Sequence, residues 1–294
     1  MPGRFGRVGT AMVTPFREDL SLDVTRAEEL AGWLVDTGTD SLIVTGSTGE
    51  AATLGDDEKI TLYEVVKKAV GDRAQVIAGT GTYDTAHSIH LTKEAEKAGV
   101  DGILVVTPYY NKPPQRGLVE HYTRVAQSTS LPVIVYNIPG RTGVRIEHDT
   151  LLQLAEVENI VAVKDSTGDF EGTSRLLREA PEGFDVYCGD DWAAFGYACL
   201  GAVGVISVAS HLVGTRLNRM LELVESGDLA GARKLHYELF PLFQALFVSS
   251  NPIPLKAAMS LIGQPVGPPR LPLVPATDAE IETVRKALEA TGVL

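Results

Sequence analysis

"IVAVKDSTG", residues 160–168, sets a buried-looking strand directly against a turn, with a lysine at the junction. Its first four residues are apolar and biased toward β-branching, as expected of a strand buried on both faces. Lys164 closes the run, and Asp165, Ser166, Thr167 and Gly168 follow as turn and helix-start residues. Lysine is almost never fully buried without a partner. An ammonium group at this point either snorkels to the rim of the sheet or is held there to be something other than a cation.

Seven other runs share this character: "VGTAMVT" (8–14), "SLIV" (41–44), "AQVIAG" (74–79), "GILVV" (102–106), "PVIVY" (132–136), "FDVYC" (184–188) and "VGVIS" (203–207). Stretches of helical period separate them. "TRAEELAGWLVDTG" (25–38) opens with Thr25 three residues before Glu28, the pattern of a capping box. "DDEKITLYEVVKKAVG" (56–71) and "TAHSIHLTKEAEKAG" (85–99) each end on glycine, as helices often do. Strands alternating with helices imply βαβ units and a parallel sheet. Eight such units predict an α/β fold of the (β/α)8 TIM-barrel type over residues 1–224. No dinucleotide fingerprint follows the first run, which argues against a Rossmann sheet.

The pattern changes after about residue 225. A long helical stretch, "GDLAGARKLHYELFPLFQALF" (227–247), precedes "NPIPLKAAMSLIG" (251–263) and the proline-rich "PVGPPRLPLVPA" (265–276). A final helix opens at the capping box "TDAE" (277–280). Residues 225–294 are therefore expected to form a C-terminal helical appendage.

Of 294 residues, 44% are hydrophobic, enough for one large core with an appendage. The net charge of −12 disfavours nucleic acid and anionic membrane surfaces as partners. Cys188 and Cys199 match no zinc or redox spacing and read as reduced structural thiols. The first residues lack a continuous apolar stretch, and no run approaches a membrane span, so a soluble cytoplasmic protein is expected.

In a barrel of this kind the chemistry gathers where strands end. The segments there are "TGSTGE" (45–50), "GTGTYDT" (79–85), "TPYYNKPP" (107–114), "NIPGRTG" (137–143), "GDD" (189–191) and "VASH" (208–211), together with Lys164. No metal site is expected from them. His87 and His90 share a helix face and read as solvated residues; Asp190 and Asp191 read first as helix caps. Gly189 instead suits close backbone approach to a ligand. Of ten lysines only Lys164 ends a strand. Apolar surroundings disfavour the charged form of a lysine, and a neutral amine attacks a ketone to form a Schiff base without any cofactor. The competing reading is a structural lysine paired with a buried carboxylate. Tyr136, ending the neighbouring strand, and Tyr110 with Ser47 or Thr48 offer hydroxyls for moving protons. The "GSTGE" loop suits a carboxylate, and Arg141 suits bidentate carboxylate recognition or a surface ion pair.

With "GSTGE", "TPYYNKPP", "YNIPGRTG", "VKDSTG", "GDD", "GVISV" and "NPIPLK" in this order, the chain resembles the dihydrodipicolinate synthase family, among the Schiff-base pyruvate aldolases. The resemblance spans essentially the whole length. It implies condensation of pyruvate with aspartate semialdehyde in lysine and diaminopimelate biosynthesis. It also implies Lys164 as the Schiff-base residue and Tyr136 as pyruvate contact and proton relay. Tyr110 would complete the relay in a neighbouring subunit's site. Ser47 and Thr48 would hold the pyruvate carboxylate, with the Ser47 hydroxyl in the relay, and Arg141 the aldehyde's carboxylate. Gly189 and Ile206 would line the pocket by their backbones. The implied assembly is a homotetramer built as a dimer of dimers. Synthases usually carry Thr where this chain has Ser47, and "GSTGE" also occurs in sialic-acid lyases and keto-deoxy sugar-acid aldolases, whereas Arg141 points back to the synthases. A pyruvate-releasing sugar-acid lyase and a non-catalytic keto-acid-binding homologue stay open as alternatives. At the positions of the family's lysine-effector pocket stand Asp56, Lys59, Tyr83 and His87, and a cationic Lys59 there implies weak or absent feedback by lysine.

Overall fold

The computed structural model describes residues 2–294. Eight parallel strands close into one barrel in chain order. They are β1 (Val8–Ala11), β2 (Ser41–Val44), β3 (Gln75–Gly79), β4 (Gly102–Val106), β5 (Val133–Asn137), β6 (Ile160–Asp165), β7 (Asp185–Cys188) and β8 (Gly204–Ser207). The helices outside them are α1 (Val24–Asp36), α2 (Asp56–Val70), α3 (Thr85–Lys97), α4 (Gln115–Ala126), the short α5 (Pro139–Thr142), α6 (His148–Ala155), α7 (Phe170–Glu179), α8 (Ala194–Leu200) and α9 (Ser210–Glu225). The appendage adds α10 (Leu229–Ala245), α11 (Ile253–Leu261) and α12 (Asp278–Ala290). The expected (β/α)8 barrel with C-terminal helices is the fold observed. Among the described residues, no helix is long and apolar enough to cross a membrane.

Alternation along each strand divides the apolar residues into two cores. Ile43, Ile77, Leu104, Ile134, Tyr136, Tyr187 and Ile206 fill the barrel interior with Phe5, which lies before β1. A larger cluster joins the outer faces of the strands to the helices and runs on without a break into α10, α11 and α12. The appendage therefore shares its core with the barrel's helical layer.

Two boundaries differ from those expected. The first helix begins at Val24, where the Asp23 carboxylate accepts from the Arg26 backbone N–H; Thr25 lies inside the first turn and caps nothing. Asp23 holds the N-cap position two residues before Thr25, and its carboxylate takes one of the free N–H groups of the first turn. The first strand stops at Ala11 and not at residue 14. There the Val13 N–H leaves the sheet ladder and donates to His211 Nε2 at 3.1 Å. The capping box at Thr277 and Glu280 is present as expected.

Candidate active site

Strand register places the central pair. In the β5–β6 ladder Tyr136 is the lateral partner of Lys164, and in the β6–β7 ladder Lys164 is the partner of Tyr187. Lateral partners in a sheet face the same side, so Lys164 turns into the barrel between two interior tyrosines. Its neighbour Asp165 turns outward, where its carboxylate accepts from Tyr197 Oη at 2.7 Å and Thr167 Oγ1 at 2.8 Å. Lys164 is 5% exposed, and its Nζ lies 4.1 Å from the centroid of the Tyr136 ring. Among the described residues it has no ion pair within 4.0 Å and no hydrogen bond, so the reading of a lysine paired with a buried carboxylate is not what the structure holds.

Gly189 explains how the backbone of β7 comes so close. A Cβ there would lie 2.0 Å from Ser166 Oγ and 3.1 Å from Lys164 Cε, so only glycine fits. The Asp190 carboxyl beside it is pushed up to about 6, chiefly by burial. Neither aspartate of "GDD" caps the helical turn that follows it. The Asp191 carboxylate accepts from the Ser207 hydroxyl and from the Val208 and Ala209 N–H groups at 3.1 and 2.9 Å, at the foot of α9. The capping expected of this pair thus acts on the neighbouring turn, because burial leaves Asp191 no solvent and the β8–α9 connection presents the free Val208 and Ala209 N–H groups.

A cavity of about 300 Å³ opens at the carboxyl ends of the strands, lined in part by Tyr136, Ser47, Gly79, Gly81, Tyr109 and Arg141. Thr45 sits in the left-handed region at φ +56° and donates to Gly79 O at 2.9 Å, which bends the chain from β2 into the "GSTGE" loop. Ser47 reaches the cavity; Thr48 is buried beside it and accepts from Asn251 Nδ2 at 2.9 Å. Arg141 is exposed on α5, pairs with no carboxylate among the described residues, and donates to Asn251 O at 3.2 Å. Ile206 is buried in the interior core. The structure thus brings Lys164, Tyr136, Ser47, Thr48, Arg141, Gly189 and Ile206 to one end of the barrel.

Tyr110 stands apart. It is 92% exposed with φ +73°, while its neighbour Tyr109 lines the cavity and packs edge-on against Tyr83. Asn251, Pro272 and Leu273, all from the appendage, complete the cavity wall. Their part in the site escaped the sequence reading, although "NPIPLK" drew notice as a motif. His211, at the end of "VASH", is a clamp: it is fully buried between Val13 N and Val208 O, and burial lowers it to about 4. Cys188 is buried and Cys199 exposed, and neither forms a disulfide among the described residues. Among the described residues no group of three His, Cys, Asp or Glu side chains is spaced to hold a metal ion.

The fold and site define a parallel (β/α)8 barrel with an unpaired lysine at the end of its sixth strand, next to a ligand-sized cavity. A family model, the dihydrodipicolinate synthetase family, matches residues 4–291, and the chain belongs to that family. It is 52% identical to the 4-hydroxy-tetrahydrodipicolinate synthase of Moorella thermoacetica, over 99% of this chain and 100% of that protein. A solved dihydrodipicolinate synthase from Cyanidioschyzon merolae with lysine bound is 45% identical, with a TM-score of 0.98 over 99% of this chain and 100% of that one. The chloride-inhibited dihydrodipicolinate synthase from Acinetobacter baumannii complexed with pyruvate is 38% identical, with a TM-score of 0.96 over 99% and 100% of the two chains.

Proposed function

We propose that the chain condenses pyruvate with L-aspartate 4-semialdehyde to 4-hydroxy-tetrahydrodipicolinate through a Schiff base on Lys164, the reaction that feeds lysine and diaminopimelate biosynthesis. The observation that carries this reading is the lateral pairing of a buried, unpaired Lys164 with Tyr136, under a cavity that also holds an unpaired Arg141. Lys164 Nζ attacks the ketone carbon; the carbinolamine loses water and leaves an iminium. The iminium accepts the electron pair released when a methyl proton departs, giving the enamine. The enamine carbon then adds to the aldehyde, and the amine of that substrate displaces Lys164 as the ring closes.

Each remaining residue has a part in this scheme. The Tyr136 hydroxyl moves the protons, together with Ser47 and with Tyr110 from a neighbouring copy of the chain. The exposure of Tyr110 supports a role across an interface, since it is free of its own barrel. The "GSTGE" loop holds the pyruvate carboxylate through Thr48 and adjacent N–H groups. Arg141 takes the carboxylate of the aldehyde as a bidentate partner. Gly189 and Ile206 line the pocket by their backbones. Residues 1–224 supply the chemistry, and residues 225–294 close the cavity. The assembly is a homotetramer in the cytoplasm, arranged as a dimer of dimers.

The deciding assay is pyruvate consumption by the purified protein with and without aspartate semialdehyde. Consumption that requires the aldehyde is expected. Pyruvate release from a keto-deoxy sugar acid, with no aldehyde-dependent consumption, would move the substrate to the sugar-acid lyases, the branch that shares "GSTGE".

A further inference from the structure

The segment "NPIPLK" (251–256) lies outside the barrel, yet it is tied to the mouth at three points. Lys256 forms a buried ion pair with Glu50 at 2.7 Å, which fixes the appendage to the end of the "GSTGE" loop. Asn251 Nδ2 donates to Thr48 Oγ1 at 2.9 Å, and Asn251 O accepts from Arg141 Nη2 at 3.2 Å. Asn251 is 5% exposed, lines the cavity, and among the described residues has no partner for Oδ1. One residue therefore touches both groups assigned to the two substrate carboxylates.

A hydroxyl has one proton and two lone pairs. An amide N–H that donates to Thr48 Oγ1 fills a lone pair and leaves the Thr48 proton for an anion. An acceptor in the same place would take that proton away. We propose that Asn251 is a positioning residue: its side-chain N–H directs the Thr48 O–H toward the pyruvate carboxylate while its backbone carbonyl steadies Arg141. The inference rests on the assignment of Thr48 made above.

Asn251→Asp tests it, because the variant keeps the shape and exchanges the donor for an acceptor. The readout is the pyruvate concentration that half-saturates borohydride trapping, with thermal melts alongside. Losing a hydrogen bond to a charged group predicts a rise of about tenfold or more. Thr48→Val alone raises it too, and in that background Asn251→Asp adds less than about threefold, as coupled residues should. Asn251→Ala removes the donor without supplying an acceptor and raises it less than Asn251→Asp does. The same cycle built with Asn251→Ala carries the test if the aspartate variant does not fold. A clear rise with Thr48→Val and none with Asn251→Asp overturns this inference alone. Equal effects of the Asn251 variant in both backgrounds also overturn it, since a purely structural role would act independently of Thr48. No rise with Thr48→Val removes the Thr48 assignment, and the inference with it.

Discussion

Gly189→Ala puts the geometry around Lys164 under direct strain. The added methyl would sit 2.0 Å from Ser166 Oγ, 3.1 Å from Asp165 O and 3.1 Å from Lys164 Cε. An ordinary contact is about 3.5 Å, so the Ser166 side must yield by about 1.5 Å. The Gly189 N–H also donates to Asp165 O at 2.7 Å, which resists any widening of the β6–β7 gap. Overpacking of this kind costs about 1–3 kcal/mol of stability, which a melt should register without loss of the fold. Activity is expected to fall further than stability. A misplacement of about 1 Å at a reacting group costs about 100-fold in rate. The assays are the rate of borohydride trapping at saturating pyruvate and kcat for aldehyde-dependent turnover; both should fall about 100-fold. Ser166→Ala in the same chain removes the hardest clash and should restore about tenfold of the loss. A Gly189→Ala enzyme within about threefold of wild type on both measures would show that Lys164 tolerates the shift and that the close approach at Gly189 is not needed for the chemistry.

Other outcomes follow from the same structure. Arg141→Ala should raise KM for aspartate semialdehyde by about 10- to 100-fold and leave half-saturation by pyruvate within about twofold; Arg141→Lys should restore only part of it, since the bidentate fork is lost. His211 is held neutral, below its ordinary value of 6.5, at about 4. Its contribution to stability is complete above pH 6.5 and is lost as pH falls toward 4, by about 3 kcal/mol in all, because the unfolded chain takes up the proton first. Urea titrations should show that slope reduced in His211→Gln; an unchanged slope contradicts the assignment. Free lysine is expected to give no saturable inhibition at or below low millimolar concentration. Lys59 is buried 4.0 Å from Asp56, whose carboxylate also lies 2.9 Å from His87 Nε2, so the position already holds a lysine ammonium and little free carboxylate for a second one.

The eight strands were legible because burial on both faces demands continuous apolar runs, and such runs are rare elsewhere in the chain. Lys164 was legible for the converse reason: a charge-bearing side chain closing an apolar run conflicts with burial unless it has a task. Its pairing with Tyr136 follows from barrel order once the strands are placed. What the sequence hid depends on long-range contacts. Asn251 meets Thr48 across 203 residues of chain, and nothing local to "NPIPLK" marks that partner. His211 ends β1 early by accepting a backbone N–H 198 residues away. Asp191 looked like a local cap because aspartate before a helix usually is one, whereas its backbone partners stand in the turn between β8 and α9.

Everything proposed for this site depends on Lys164 being the residue that bonds to pyruvate. The most direct test is borohydride reduction in the presence of pyruvate, followed by peptide mapping. One adduct per chain is expected, with the mass of pyruvate less water plus two hydrogens, on the peptide containing Lys164, and none in Lys164→Ala. An adduct on any other lysine, or trapping that survives in Lys164→Ala, would contradict that role for Lys164.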